Sequence, residues 1–157
     1  MDADKLFTDV LGAEVHMIND ADAAGLAEIR YGEARNRDGV VMMLTFGTGI
    51  GSGMFVDGVL VPNTELGHLE LDGVGAESRA AASARKRDDL SWSEWGDRAN
   101  RYLRHVEKLF SPTTFVIGGG ASKRTEKWLD RVDISTEILV ASMENSAGIV
   151  GAALIAP

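Results

Sequence analysis

The run Thr45-Phe46-Gly47-Thr48-Gly49-Ile50-Gly51-Ser52-Gly53 constrains this chain more than any other segment. It joins Val40–Phe46, an apolar stretch of strand length, to a second stretch of strand length, Ile50–Val56. The pair Asp57-Gly58 then leads on to Val59–Val61. Asp-Gly between apolar runs is a strong hairpin signal, because both residues accept the left-handed backbone of a tight turn. Three neighbouring strands are expected here. Glycines at alternate positions also let backbone amides approach an anion, and the hydroxyls of the run can donate to phosphate oxygens. An unliganded, glycine-softened hairpin is the plainer reading. The run is not a P-loop, since Gly-Lys-Ser/Thr is absent, nor a dinucleotide-binding turn, since no helix follows directly.

Around this hairpin the chain alternates helices and strands. Leu6, Phe7, Val10 and Leu11 recur at helical spacing before Gly12, and Val15–Ile18 reads as a short strand. Asn19 and Asp20 can cap a helix over Ala21–Tyr31 that Gly32 ends. Pro62–Gly75 has no clear period and is expected as a functional loop or short strand. Helices are predicted over about Ala76–Arg87 and from Ser91, with Glu94 three residues on as a capping box, to about Phe110. Thr113–Ile117 is a strand ending in Gly118-Gly119-Gly120. A helix over Ser122–Asp130, a strand at Glu137–Val140 and a helix over Asn145–Ile155 follow. The expected fold is α/β, one domain with a mixed sheet flanked by helices.

Composition removes several functions. The chain has 157 residues and no cysteine, which excludes thiol catalysis, Cys-ligated zinc and iron–sulfur clusters. A formal charge of -8 argues against a nucleic-acid or anionic-membrane partner. No apolar run approaches the ~20 residues that span a bilayer, and the start lacks the pattern of a signal peptide, so the cytoplasm is the expected location.

Two further groups carry chemistry. Asn19-Asp20 reads plainly as a helix cap, and more sharply as a substrate clamp with a general base able to take a sugar hydroxyl's proton. Glu65-Leu66-Gly67-His68-Leu69-Glu70 places three polar groups among apolar or glycine neighbours, which suits a polyol that needs donors and acceptors together. His68 with one carboxylate supplies too few ligands for zinc, and none is expected.

The strings NDADAAGLAE, LTFGTGIGSGMFVDGVLVPNTELGHLEL, FVIGGGASK and NSAGIVGAAL together closely resemble the ROK-family sugar kinases, and among them those that use polyphosphate on glucose. The resemblance runs from about Asp4 to the C-terminus. It implies the C-terminal domain, over 1–157, of an actin-like (RNase H-like) kinase that phosphorylates the 6-hydroxyl of glucose from polyphosphate and/or ATP with Mg²⁺, and that forms a homodimer. By position it implies Asp20 as catalytic base, and Asn19, Glu65 and His68 as glucose contacts. Glu77 and Glu70 compete for one further sugar-binding place. Gly47, Thr48, Gly49 and Gly51 would hold donor phosphate, with Gly118, Gly119 and Gly120 facing the donor. The family's first phosphate turn, of Asp-x-Gly-Gly-Thr type, is not in this sequence, so the N-terminal phosphate-loop domain is expected to be absent and the chain inactive alone. The alternatives are an ATP-only kinase of the same family and a non-catalytic sugar-binding or dimerisation domain.

One charge pattern remains. Eight of the 16 basic residues fall between Arg79 and Lys108. Arg98, Arg101 and Lys108, with His105, recur at steps of three and four on one helix face. The bland expectation is a solvated face with Asp97 and Glu107 as ion-pair partners. The other is a polyphosphate path along Arg85, Lys86 and Arg87 and the Arg98–Lys108 face, since a long polyanion needs cationic surface beyond its terminal phosphate.

Overall fold

Strand β1 (Val40–Phe46) is apolar along both faces and therefore needs cover on both. The computed structural model describes residues 2–156. Met1 and Pro157, the ends of the domain expected over 1–157, lie outside them. β1 is the central strand of five. On one side it pairs antiparallel with β2 (Ile50–Val56), which pairs antiparallel with β3 (Val59–Val61). On the other it runs parallel to β6 (Thr114–Gly118), and β6 runs parallel to β7 (Glu137–Val140). The order β3-β2-β1-β6-β7 is the expected mixed sheet. Asp57 and Gly58 turn the β2–β3 hairpin at φ 49° and 80°, as the Asp-Gly signal requires.

Alternation along β1 divides the core. Met42, Leu44 and Phe46 pack with Phe115 and Ile117 against Trp95, Ala99, Tyr102, Leu103 and Val106 of the long helix α5 (Trp92–Phe110). Val41, Met43, Val116 and Phe55 pack on the other face against Ala24 and Ala27 of α2 (Asp20–Tyr31) and Ala147 of α6 (Ala147–Leu154). The Ser91–Glu94 capping box starts α5 as expected. Helix α1 (Ala3–Leu11) ends at a left-handed Gly12. Among the described residues no helix is long and apolar enough to cross a membrane.

Four expectations are corrected. Val15–Ile18 forms no strand, because no partner strand lies beside it. Its amides turn to α1 instead, Val15 to Thr8 Oγ1 at 3.0 Å and Met17 to Asp4 Oδ1 at 3.1 Å. The helix over Ala76–Arg87 is broken into α3 (Glu77–Ala80) and α4 (Ala82–Arg87) by an extended Ala81, whose carbonyl accepts the buried Trp95 indole N–H at 3.0 Å. The helix over Ser122–Asp130 is replaced by 3-10 turns at Gly120–Lys127 and Leu129–Arg131, wound around buried Trp128, whose indole donates to Ala121 O at 3.1 Å. The last helix begins at Ala147, after a 3-10 turn at Glu144–Ser146. Within Pro62–Gly75 a 3-10 turn, Leu66–His68, precedes a small hairpin of β4 (Glu70–Leu71) and β5 (Val74–Gly75).

Helices α2 and α6 pack so closely that a Cβ at Gly151 would run into the Ala23 backbone. Gly151→Val should therefore lower stability by about 1–3 kcal/mol through overpacking. A urea midpoint unchanged from the parent would show that the two helices do not approach in this way.

Candidate active site

The parallel strands β1 and β6 both end at glycine turns on one edge of the sheet, the edge at which α/β sheets place ligands. Between those turns and the N-terminus of α2 lies a cavity of about 780 Å³, lined by Asp20, Gly47–Gly51, Glu77 and Gly118–Gly120 among others. The phosphate-type run and the glycine turn, 70 residues apart by number, thus face the same space.

Asn19 serves as cap and as link. Its Oδ1 accepts from the amides of Ala21 at 2.8 Å and Asp22 at 3.4 Å, while its Nδ2 donates to Glu65 Oε1 at 3.1 Å. The expected cap is formed, and the same side chain ties the start of α2 to the Glu65–His68 segment. Asp20, the first residue of α2, is exposed and borders the cavity. A Cβ at Gly51 would come 3.8 Å from Asp20 Oδ1 and 2.6 Å from Thr45 Oγ1, so the glycine keeps this approach open.

The first glycine turn is held from outside. Ser83, at the start of α4, donates its amide to Gly47 O at 3.0 Å and its hydroxyl to Thr48 O at 2.6 Å. Two carbonyls that would repel an anion are occupied in this way. Glu77 closes the other side, its Oε2 accepting from the Ile50 amide at 3.3 Å and lying 2.5 Å from where a Gly49 Cβ would stand. His68 Nδ1 is 3.8 Å from Glu77 Oε1. Of the two competing glutamates, Glu77 lines the cavity, whereas Glu70 lies exposed on β4 and is not among the lining residues.

The Glu65–His68 segment is pinned to β2. Buried Ser52 donates to Thr64 O at 2.7 Å and accepts from the Leu66 amide at 2.9 Å. A second buried group, Asp22, accepts the Asn63 amide at 2.8 Å and leaves its Oδ1 without a partner. Burial pushes the Asp22 carboxyl above the usual range, opposed by the Asn63 N–H and reinforced by the charges of Glu65 and Asp20. Sequence reasoning missed Asp22, Ser52 and Ser83. Asp22 left a faint trace as a carboxylate on the otherwise alanine-rich inner face of α2.

The basic stretch is largely self-neutralised. Arg87 and Arg98 both pair with Asp88, at 2.7 and 2.6 Å, and hold its carboxyl well below its usual range. Arg101 pairs with Asp72, and Arg104 with Asp133 at 3.2 Å. Arg85 lies over the Trp92 ring at 4.4 Å and donates to Leu90 O. The expected partners are corrected. Asp97 binds Arg131, and Glu107 accepts from the Ser135 and Thr136 amides, because both face the turn that follows β6. Among the described residues Lys86 and Lys108 have no ion pair. Among them too, no three His, Asp or Glu side chains gather as a metal site.

A sequence model described as the ROK family matches residues 1–82. The chain is 45% identical over 151 residues to the polyphosphate glucokinase of Mycobacterium tuberculosis (strain H37Rv), covering 96% of this chain and 57% of that protein. It superposes on the crystal structure of the inorganic polyphosphate/ATP-glucomannokinase from Arthrobacter sp. strain KM with a TM-score of 0.92 and 55% identity, over 98% of this chain and 61% of that one. A ROK family glucokinase from Streptomyces griseus, solved with glucose and AMPPNP, is 23% identical and shares the fold at a TM-score of 0.78, over 98% and 71% of the two chains. The fold is thus the expected actin-like one. The chain spans little more than half the length of the curated relatives it matches.

Asp22 also makes a stability prediction. With its folded pKa raised, the native state holds this proton to higher pH than the unfolded chain does. Its contribution is therefore fully present below the ordinary carboxylate range and is lost as pH rises through the folded value. Asp22→Asn keeps an acceptor for the Asn63 amide and should remove that decline. Urea midpoints measured from pH 4 to 7 check this, and parallel profiles for parent and variant would contradict it.

Proposed function

The chain belongs to the ROK family, and from that premise we propose that it forms one wall of a sugar-kinase site that phosphorylates glucose at its 6-hydroxyl from polyphosphate or ATP. The observation that carries this reading is the single cavity shared by Asp20, Glu77 and both glycine turns. A hydroxyl acceptor needs a base, and the donor needs a cradle that tolerates several negative charges at close range. On this reading Asp20 Oδ takes the hydroxyl proton as the new O–P bond forms. The donor's bridging P–O bond breaks, and the electron pair leaves with ADP or the shortened polyphosphate. Asn19, Glu65, His68 and Glu77 hold the sugar, and the amides of Gly47–Gly51 hold the transferred group.

Phosphoryl donors carry a divalent cation, and Mg²⁺ is held by one or two carboxylates together with phosphate oxygens. The cavity is lined by the carboxylates of Asp20, Glu77 and Glu144, which suits a cation that arrives with the donor. The ion, held mainly by the donor's own phosphate oxygens and water, would supply charge neutralisation at the phosphates and leave Asp20 free as the base. The remaining donor and sugar contacts belong, on this reading, to the part of the full-length protein that carries the Asp-x-Gly-Gly-Thr-type turn. A long polyphosphate would extend over α4, which starts at the glycine turn through Ser83 and carries Lys86.

In the full-length protein Asp20→Asn should cut kcat by about 10²–10⁴-fold with glucose binding retained, as loss of a general base does. Full turnover would refute the assignment. Glu77→Gln should raise the glucose KM by about tenfold, the scale of one lost charged hydrogen bond, whereas Glu70→Gln should leave it near the parent value. The reverse result would hand the sugar contact to Glu70.

A further inference from the structure

The cavity has the wrong charge for its proposed ligand. Asp20, Glu77 and Glu144 line it, and Lys123 is the one lysine or arginine among its lining residues. Lys123 stands three residues beyond Gly120, in the 3-10 turn that leaves β6. Its ammonium donates to Glu144 Oε2 at 3.1 Å, with the two side chains 50% and 59% exposed. Ion pairs this exposed contribute little, so exchanging one oxyanion for another costs little. A phosphate offers the ammonium a higher charge and several acceptor oxygens.

Glu144 is itself unusual. Its φ of 44° lies in the left-handed region, where a side chain is strained and a glycine would sit without cost. The segment is nevertheless fixed. Fully buried Glu28 on α2 accepts the Met143 amide at 2.8 Å and the Ser142 hydroxyl at 3.4 Å. A turn that needed only its backbone would be better served by glycine, so the carboxylate is the part that explains the residue.

We propose that Lys123 is a donor-phosphate contact and that Glu144 holds its ammonium until a donor displaces it. This rests on the kinase reading above. Lys123 supplies the positive charge that the glycine turns lack. Glu144 makes entry competitive, because a ligand without enough negative charge leaves the pair closed.

The test uses the full-length protein with glucose and either ATP or polyphosphate. Lys123→Ala should raise the KM for both donors by about 10- to 100-fold, the scale of a lost hydrogen bond between charged groups, with glucose KM unchanged. Lys123→Arg should restore most of the loss, which a merely structural role would not predict. Glu144→Gln should lower donor KM severalfold. Calorimetric titration with tripolyphosphate, which needs no turnover, should show the same order of affinities, and thermal melts will show whether each variant is folded. Unchanged donor KM and tripolyphosphate affinity in Lys123→Ala overturn the proposal. A parent protein that binds tripolyphosphate through Lys123 but does not phosphorylate glucose would overturn the kinase reading instead.

Discussion

Phe46 ends the central strand inside a ring of aromatic side chains. Trp95, Tyr102 and Trp128 meet it edge-on with centroids 5.7, 6.0 and 6.3 Å away. Such contacts add directional preference to an already large buried area, so they fix the ring and hence the backbone that carries it. That backbone matters at both glycine turns. Gly47 follows Phe46 directly, and Gly119, at φ 77°, lies so near Phe46 N, C and O that a Cβ would stand 2.6–2.9 Å from them. One residue therefore sets the separation of the two turns. The core beneath the sheet and the opening above it are parts of one constraint.

Helix α2 positions the rest through two buried carboxylates. Asp22, in its first turn, ties down Asn63 ahead of the Glu65–His68 segment. Glu28, two turns on, receives the Glu33 amide at 3.0 Å as well as the Met143 amide, and so joins α2 to the turn before α6. Burying a carboxylate is costly unless hydrogen bonds compensate it. Glu28 has several such bonds, whereas Asp22 has one oxygen without a partner. The cost is accepted at the position where the α2 cap, Asp20 and the Glu65–His68 segment are held together.

What could be read from the sequence was local. The β1–β2–β3 hairpins, the caps of α2 and the capping box of α5 are written in residues a few positions apart, and each formed as expected. The break at Ala81 and the 3-10 turns around Trp128 were not legible, because each depends on an indole N–H arriving from a distant or inward-turned residue. The site follows the same division. Asn19-Asp20, the glycine run and Glu65–His68 stood out as strings. The choice of Glu77 over Glu70 as a cavity residue, the role of Ser83 and the Lys123–Glu144 pair depend on contacts between segments that no spacing announces.

The same reasoning changes the meaning of the basic stretch. Along the sequence it looks like a cationic track in a chain of net charge -8. In the folded protein Asp72 and Asp133, from outside the stretch, and Asp88, within it, take up four of its arginines. Each such pair cancels most of its own field beyond about a Debye length, roughly 10 Å at 0.1 M salt. The face of α5 thus offers a polyanion much less long-range attraction than the count of arginines suggests. A polyphosphate would have to displace carboxylates there, while Lys86 on α4 and Lys123 in the cavity stand nearer the glycine turns and need at most one acid displaced. Electrostatics therefore favours charge recognition close to the proposed transfer site over a track along the long helix.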